Sequence, residues 1–370
     1  MNGNQATPEQ PEVRNAQASE WMKRGIALLK ENTTASLTNS LRWFEGAIEL
    51  RRALPLDENP WYRYVLAAGW MNRGDALTRL GSAENLAEAV HSYDQALALL
   101  QTLKIESNPL FRQRLAVARM NRGITLQERG TSDGVRAALE SFDAAIAVLR
   151  NPLVLECAVN RPVLASALAN RGNALLRLEP PSAVLARESA EHALAFTAGD
   201  EERDLLAAET GLKARHILCR AVAAQLADPT GTIAAEDLVA AATDAVDDGM
   251  KLARHWEARG ERRFRDLARE LFRFGARAYQ MHQSHFLTEF LLENLDPSHS
   301  QDAFPIDAKM HLAADEALAC AVAEIQRDGF QSLNTPHFDR FVKTYRQLGV
   351  TKRRLDELQH ACPPAVAQAS

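Results

Sequence analysis

Cysteine is scarce: Cys157, Cys219, Cys320 and Cys362 are the four in 370 residues. They stand too far apart for a CxxC pair, a zinc set or a disulfide framework. That scarcity suits a reducing compartment, and the expectation is a cytoplasmic protein. No stretch reaches the ~18 consecutive apolar residues of a membrane span, and Met1 to Glu9 lack a basic start followed by an apolar run. Excess positive charge is missing too: 43 Lys+Arg face 48 Asp+Glu, a net charge of −5, which excludes the global basic field that drives non-specific nucleic-acid binding. Lysine supplies only eight of the basic residues, so arginine carries nearly all the positive charge. There is no Gly-rich phosphate loop, no nucleophile elbow and no Ser/His/Asp ordering among the ten histidines. No catalytic residue, cofactor or metal is therefore expected. No run alternates apolar and polar residues for more than a few positions, so essentially no sheet is expected. What remains, 46% hydrophobic and 25% charged, is the composition of a folded chain.

The chain repeats itself. Lys23-Arg24-Gly25, Asn72-Arg73-Gly74, Asn121-Arg122-Gly123 and Asn170-Arg171-Gly172 place their glycines 49 residues apart. A second register agrees: Phe44-Glu45, Tyr93-Asp94, Phe142-Asp143 and Ala190-Glu191, each followed two residues later by alanine. Both segments carry apolar residues at helical spacing, as in Leu86, Ala89, Val90, Tyr93, Ala96, Leu97 and Leu100. Each unit thus holds two amphipathic helices. Asn59-Pro60, Asn108-Pro109 and Asn151-Pro152 mark helix starts, because Asn caps the first free N–H groups and Pro suits the first turn.

Trp70-Met71-Asn72-Arg73-Gly74-Asp75-Ala76-Leu77, followed by Ala89 to Leu99 around Tyr93 and Ala96, resembles the tetratricopeptide repeat, and Trp21 with Gly25 and Leu28 matches likewise. The resemblance implies an all-α solenoid of helical hairpins whose first helices line a concave groove that holds a partner's peptide or helix. It covers residues 17–200. The period exceeds the family's 34 residues; about three of the extra residues are expected in the turn between the helices and most of the rest at the start of the first helix. A degenerate fifth unit should pair helices over 201–226 and 234–256, so that residues 13–257 form the solenoid. Beyond it, 258–362 reads as an all-α cap or separate module, with helices expected over 261–293, 306–327, 335–348 and 351–360. Residues 1–12 and 363–370 read as disordered.

Two charge ladders share the repeat's period. Arg24, Arg73, Arg122 and Arg171 on the first helices and Glu45, Asp94, Asp143 and Glu191 on the second invite ion pairs within or between hairpins. One residue before each arginine stands Asn72, Asn121 or Asn170, with Lys23 in the first unit. In the tetratricopeptide resemblance this place grips the backbone of an extended peptide, since an amide both donates and accepts. Asp75 and Asn173, one residue past the glycine, would flank the same groove.

Further along, Lys251 and Arg254, Arg259, Arg262, Arg263, Arg265, Arg269, Arg273 and Arg277 form a basic stretch interleaved with Phe264, Phe272 and Phe274. The expectation is that the aromatics are core and the arginines solvated or paired with acids; the other reading is a nucleic-acid surface. His282 and His285 lack the Glu of HExxH and have only Glu289 or a distant His311 beside them, which reads as a packed pair. The sequence thus points to a non-catalytic adaptor for another protein, with acidic partner side chains favoured by Lys23 and exposed arginines. A ligand-sensing regulator with a basic C-terminal surface and an enzyme with an unrecognised all-α site are the alternatives. Self-association through a terminal hairpin is open.

Overall fold

The computed structural model describes residues 10–106, 108–150, 160–226, 235–268 and 270–271, and among them the chain is all helix and turn, with no strand. The helix start expected at Asn151-Pro152 and every expectation beyond residue 271, His282, His285, Glu289 and the C-terminal helices included, lie outside the described residues. The chain falls into two compact units, Met1–Pro180 and Pro181–Ser370.

In the first unit α1 (Pro11–Glu31) and α2 (Thr34–Arg52), α3 (Pro60–Leu80) and α4 (Ala83–Leu100), and α5 (Pro109–Glu128) and α6 (Ser132–Leu149) form three hairpins, and α7 (Asn160–Leu175) closes the unit. Helix α1 begins at Pro11, inside the stretch expected to be disordered, because a proline fits the first turn of a helix. Asn59 and Asn108 cap α3 and α5 as expected: each side-chain oxygen accepts from the backbone N–H two residues on, Trp61 or Leu110, at 2.9 Å.

The turn inside each hairpin is shorter than expected, and the three extra residues assigned to it are absent. One residue in the left-handed region is followed at once by the cap of the second helix. Asn32, Gly81 and Gly130 take φ of 53°, 74° and 72°. Thr33, Ser82 and Thr131 follow, each accepting from the backbone N–H three residues on, that of Ser36, Asn85 or Gly134. Both sets recur every 49 residues. The added length of the unit lies instead in helices of 18 to 21 residues and in the segments 53–59 and 101–108 between hairpins. In the fourth unit the corresponding pair is Glu179-Pro180, which offers neither a residue suited to positive φ nor a capping hydroxyl, and there the first unit ends.

Packing follows the repeat. Each second helix packs on its own first helix and on the first helix of the next hairpin, and the first helices α1, α3, α5 and α7 also touch one another in a row. Phe44, Tyr93 and Phe142 are fully buried at the centre of the three hairpins, each against the glycine 19 residues earlier. A Cβ on Gly74 or Gly123 would stand 2.8 Å or 2.6 Å from the facing ring, which explains a glycine inside a helix that ordinarily costs about 1 kcal/mol relative to alanine.

In the second unit α8 (Ala183–Thr197) packs on α9 (Leu205–Leu226), and α9 on α10 (Ala235–Glu257). Helix α9 starts at Leu205 rather than at the expected residue 201, because the Asp204 side chain accepts from the Ala207 N–H at 2.7 Å and caps it there. The freed Glu201 turns inward. Its carboxylate takes two hydrogen bonds from the Arg215 guanidinium, at 2.8 and 2.9 Å, and one from the Thr197 hydroxyl. Trp256 Nε1 donates to its backbone carbonyl at 2.8 Å. A Cβ on Gly211 would overlap the Glu201 carboxylate, so the glycine makes room for this half-buried ion pair.

Candidate partner-binding surface

The arginine ladder ties consecutive hairpins together. Nε of Arg73, Arg122 and Arg171 donates to Glu45, Asp94 and Asp143 at 3.1, 2.7 and 2.6 Å, in each case an acid 28 residues earlier, on the preceding hairpin. Nη1 of Arg73 and Arg122 donates to the Ser92 and Ser141 hydroxyls of their own hairpins, and each serine passes its proton to the carbonyl four residues back. Those serines recur with the repeat, 19 residues after the arginine, and were the unread half of the ladder. Arg24 is on the first described helix; it lies over the Trp43 ring and within 4.0 Å of Glu20. Glu191 pairs with Arg187 on its own helix, at 2.6 Å.

The asparagine ladder lies on another face. On helix α3 a stripe of Trp61, Val65, Ala68, Asn72, Asp75 and Arg79, spaced three or four apart, is exposed or half-buried. The matching stripe on α5 is Leu110, Arg114, Val117, Asn121, Ile124 and Glu128. Since the first helices are the row whose members touch, these stripes form one continuous inner surface in the first unit. Lys23, Asn72, Asn121 and Asn170 occupy one position along it, Lys23 exposed and the asparagines half-buried, with Asn173 half-buried beyond Asn170.

Their engagements differ. The Tyr93 hydroxyl is hydrogen-bonded by the side chains of Asn121, Thr78 and Thr125, and burial pushes its pKa up, helped by the charge of Asp75. Asn121 is therefore partly committed to the core. The rings at the equivalent distance from Asn72 and Asn170 are Phe44 and Phe142, which have no hydroxyl to offer. Asp75 is held at both carboxylate oxygens by Arg79, at 3.1 Å each, and Lys23 lies 3.6 Å from Glu20. The stripe also holds two large apolar side chains that sequence reading passed over: Trp61 and Leu110, one repeat apart, are 42% and 45% exposed. Trp61 stacks on Tyr64 at 4.7 Å, and Tyr64 on Phe111 at 5.3 Å.

A cleft of about 420 Å³ opens on the opposite side of α3, lined by Glu45, Ile48, Glu49, Trp70, Arg73, Glu88 and His91. Its charges are largely paired within the chain: Arg73 reaches Glu45 and Glu88, and Arg52 pairs with Glu49 while lying over Trp70 at 4.8 Å. In the second unit the described part of the basic stretch is similarly engaged. Arg263 pairs with Glu209 at 3.0 Å, Arg265 with Glu257, and Lys251 with Asp248, while Phe264 is fully buried and stacks on Trp256. No group of three or more His, Cys, Asp or Glu among the described residues is placed to hold a metal, and no described helix is long and apolar enough to cross a membrane.

The chain is an all-α helical-repeat protein, on the evidence of its own hairpins. No family model matches it, and no curated protein matches it. Among solved structures it is similar to a circular tandem repeat protein with novel repeat topology and enhanced subunit contact surfaces, at 14% identity and a TM-score of 0.33, over 95% of this chain and 83% of that one. The tetratricopeptide likeness therefore stays one of motif.

Proposed function

We propose that the protein is a non-catalytic scaffold that holds an extended or helical segment of a partner protein along the inner stripe of α1, α3, α5 and α7. The observation that carries this reading is the stripe itself: along the row of first helices one line of side chains, spaced three or four apart, is left exposed or half-buried and holds Trp61, Leu110 and the amides of Asn72 and Asn170. A row of packed hairpins is stiff, so docking costs the segment ordering entropy while the scaffold loses little. Free amides on such a row satisfy a partner's backbone without reading its sequence, and the two apolar side chains supply buried area.

The test is a photocrosslinking amino acid placed at Ile26, on the stripe and exposed, or at Ala98, exposed on α4. The reading expects a protein partner crosslinked from Ile26 and not from Ala98, and weakened crosslinking when Asn72→Ala and Asn170→Ala are added to a chain that melts normally. Equal crosslinking from both positions removes the stripe as the site.

A further inference from the structure

Position 51 breaks the repeat. The equivalent residues one and two units on are Leu100 and Leu149, both fully buried core leucines, and in their place the first hairpin has Arg51, itself only 5% exposed. Its guanidinium donates to the Val65 carbonyl at 2.7 Å and to the Ser19 hydroxyl at 3.2 Å, and among the described residues its Nε has no partner and no carboxylate lies within 4 Å. Replacing a packed leucine with a buried cation that has no counterion costs stability, so a sequence that keeps one is compensated elsewhere. Burial, with nearby Arg114 second, lowers the Arg51 pKa to about 10.

Both partners of Arg51 lie on the inner stripe, Ser19 on α1 and Val65 on α3. Arg114, at the repeat position of Val65 on α5, lies 4.6 Å over the Tyr64 ring and donates through Nη2 to the Tyr64 hydroxyl at 2.7 Å, again with no carboxylate within 4 Å. One end of the stripe therefore carries two uncompensated cations beside the exposed Trp61 and Leu110.

We infer that this end of the stripe binds a partner segment bearing a carboxylate side chain, which Arg114 contacts directly and the buried charge of Arg51 attracts, next to an apolar side chain seated on Trp61 and Leu110. The inference rests on the groove reading above. An isolated carboxylate fits better than a nucleic-acid backbone, because exposed acids stand on the stripe itself, Glu12 on α1 at the repeat position of Trp61 and Glu128 at the far end of α5, and these repel a continuous polyanion while a single carboxylate is seated at Arg114.

The experiment selects a phage-displayed library of random dodecapeptides on the immobilised full chain, on Arg51→Leu and on Arg114→Gln. The wild type should enrich Asp or Glu within a few residues of an apolar side chain. Both variants should keep the apolar preference and lose the acidic one; Arg114→Gln should bind a selected acidic peptide roughly ten- to a hundredfold more weakly, the cost of a charged hydrogen bond, and Arg51→Leu, which removes only a nearby charge, severalfold more weakly. Arg51→Leu restores the repeat's own leucine and should melt no lower than the wild type, which separates lost binding from lost folding. Peptides selected without acidic enrichment overturn the inference and leave the groove standing; no selected peptides overturn both. Undiminished binding of the acidic peptide to both variants, or a single-stranded oligonucleotide that displaces it and itself needs Arg51 and Arg114, also overturns the inference.

Discussion

Gly74 and Tyr93 compete for one volume: a Cβ on Gly74 would stand 2.8 Å from Cζ of the tyrosine, whose ring is buried and whose hydroxyl is tied to Thr78, Asn121 and Thr125. The ring cannot withdraw without breaking that node. Gly74→Ala gains about 1 kcal/mol of helix propensity and loses more through overpacking, typically about 1–3 kcal/mol. The expected net result is a lower melting temperature, read by thermal unfolding. Alanine at Gly130, which sits in open space at positive φ, tests backbone strain alone and should destabilise for that different reason.

The link between hairpins is measurable as a coupling. Arg122 and Asp94 meet at 2.7 Å with side chains 28% and 47% exposed, so solvent screens the pair. A double-mutant cycle with Arg122→Ala and Asp94→Ala should give roughly 0.5–1 kcal/mol, falling as salt rises. The arginine substitution alone should cost more than the aspartate one, because it also removes the bond to Ser141. A cycle with no coupling at low salt would reduce the ladder to a surface coincidence.

The period of 49 made much of the first unit legible in advance, because residues that meet across it sit at fixed offsets. Arg73 and Glu45 or Gly74 and Tyr93 could be paired from the alignment of the chain with itself. The turn device of Asn32-Thr33, Gly81-Ser82 and Gly130-Thr131 recurs with the same period, but apolar spacing does not reveal it, because it rests on backbone conformation and a capping hydroxyl. Departures from the repeat were harder to see. Arg51 among leucines, and Tyr93 among phenylalanines, gain meaning only when the structure shows what each touches. The second unit hid more, for there the repeat has faded: Glu201 reads as an ordinary helix residue until Asp204 is seen to cap α9 and turn it toward Arg215.

That ion pair should be costly to break. Arg215 and Glu201 are only 12% and 14% exposed, and removing one partner leaves a desolvated charge. Glu201→Gln or Arg215→Met should each lower stability by roughly 1–3 kcal/mol, while the double replacement Glu201→Gln with Arg215→Met should recover part of the loss. Chemical denaturation followed by fluorescence, in a background with Trp21, Trp43, Trp61 and Trp70 replaced by Phe, reads this locally, because Trp256 Nε1 donates to the Glu201 carbonyl. Additive losses in the double variant would contradict a shared burial penalty.

His216 makes stability sensitive to acid. Burial lowers its pKa to about 4, reinforced by the positive charge of Arg220 and opposed by Glu270. The folded state thus holds a neutral imidazole where the unfolded chain takes up a proton below about 6.5. The contribution is fully present above pH 6.5 and is lost as the pH falls toward 4, reaching about 3 kcal/mol across that window. Urea unfolding at pH 7, 6, 5 and 4, compared between wild type and His216→Gln, isolates the effect from the carboxylates that titrate nearby. The wild type should lose more stability than the variant over this range. Parallel pH profiles would mean that the imidazole takes up its proton equally in the folded and the unfolded chain, which would transfer the acid sensitivity to its neighbours.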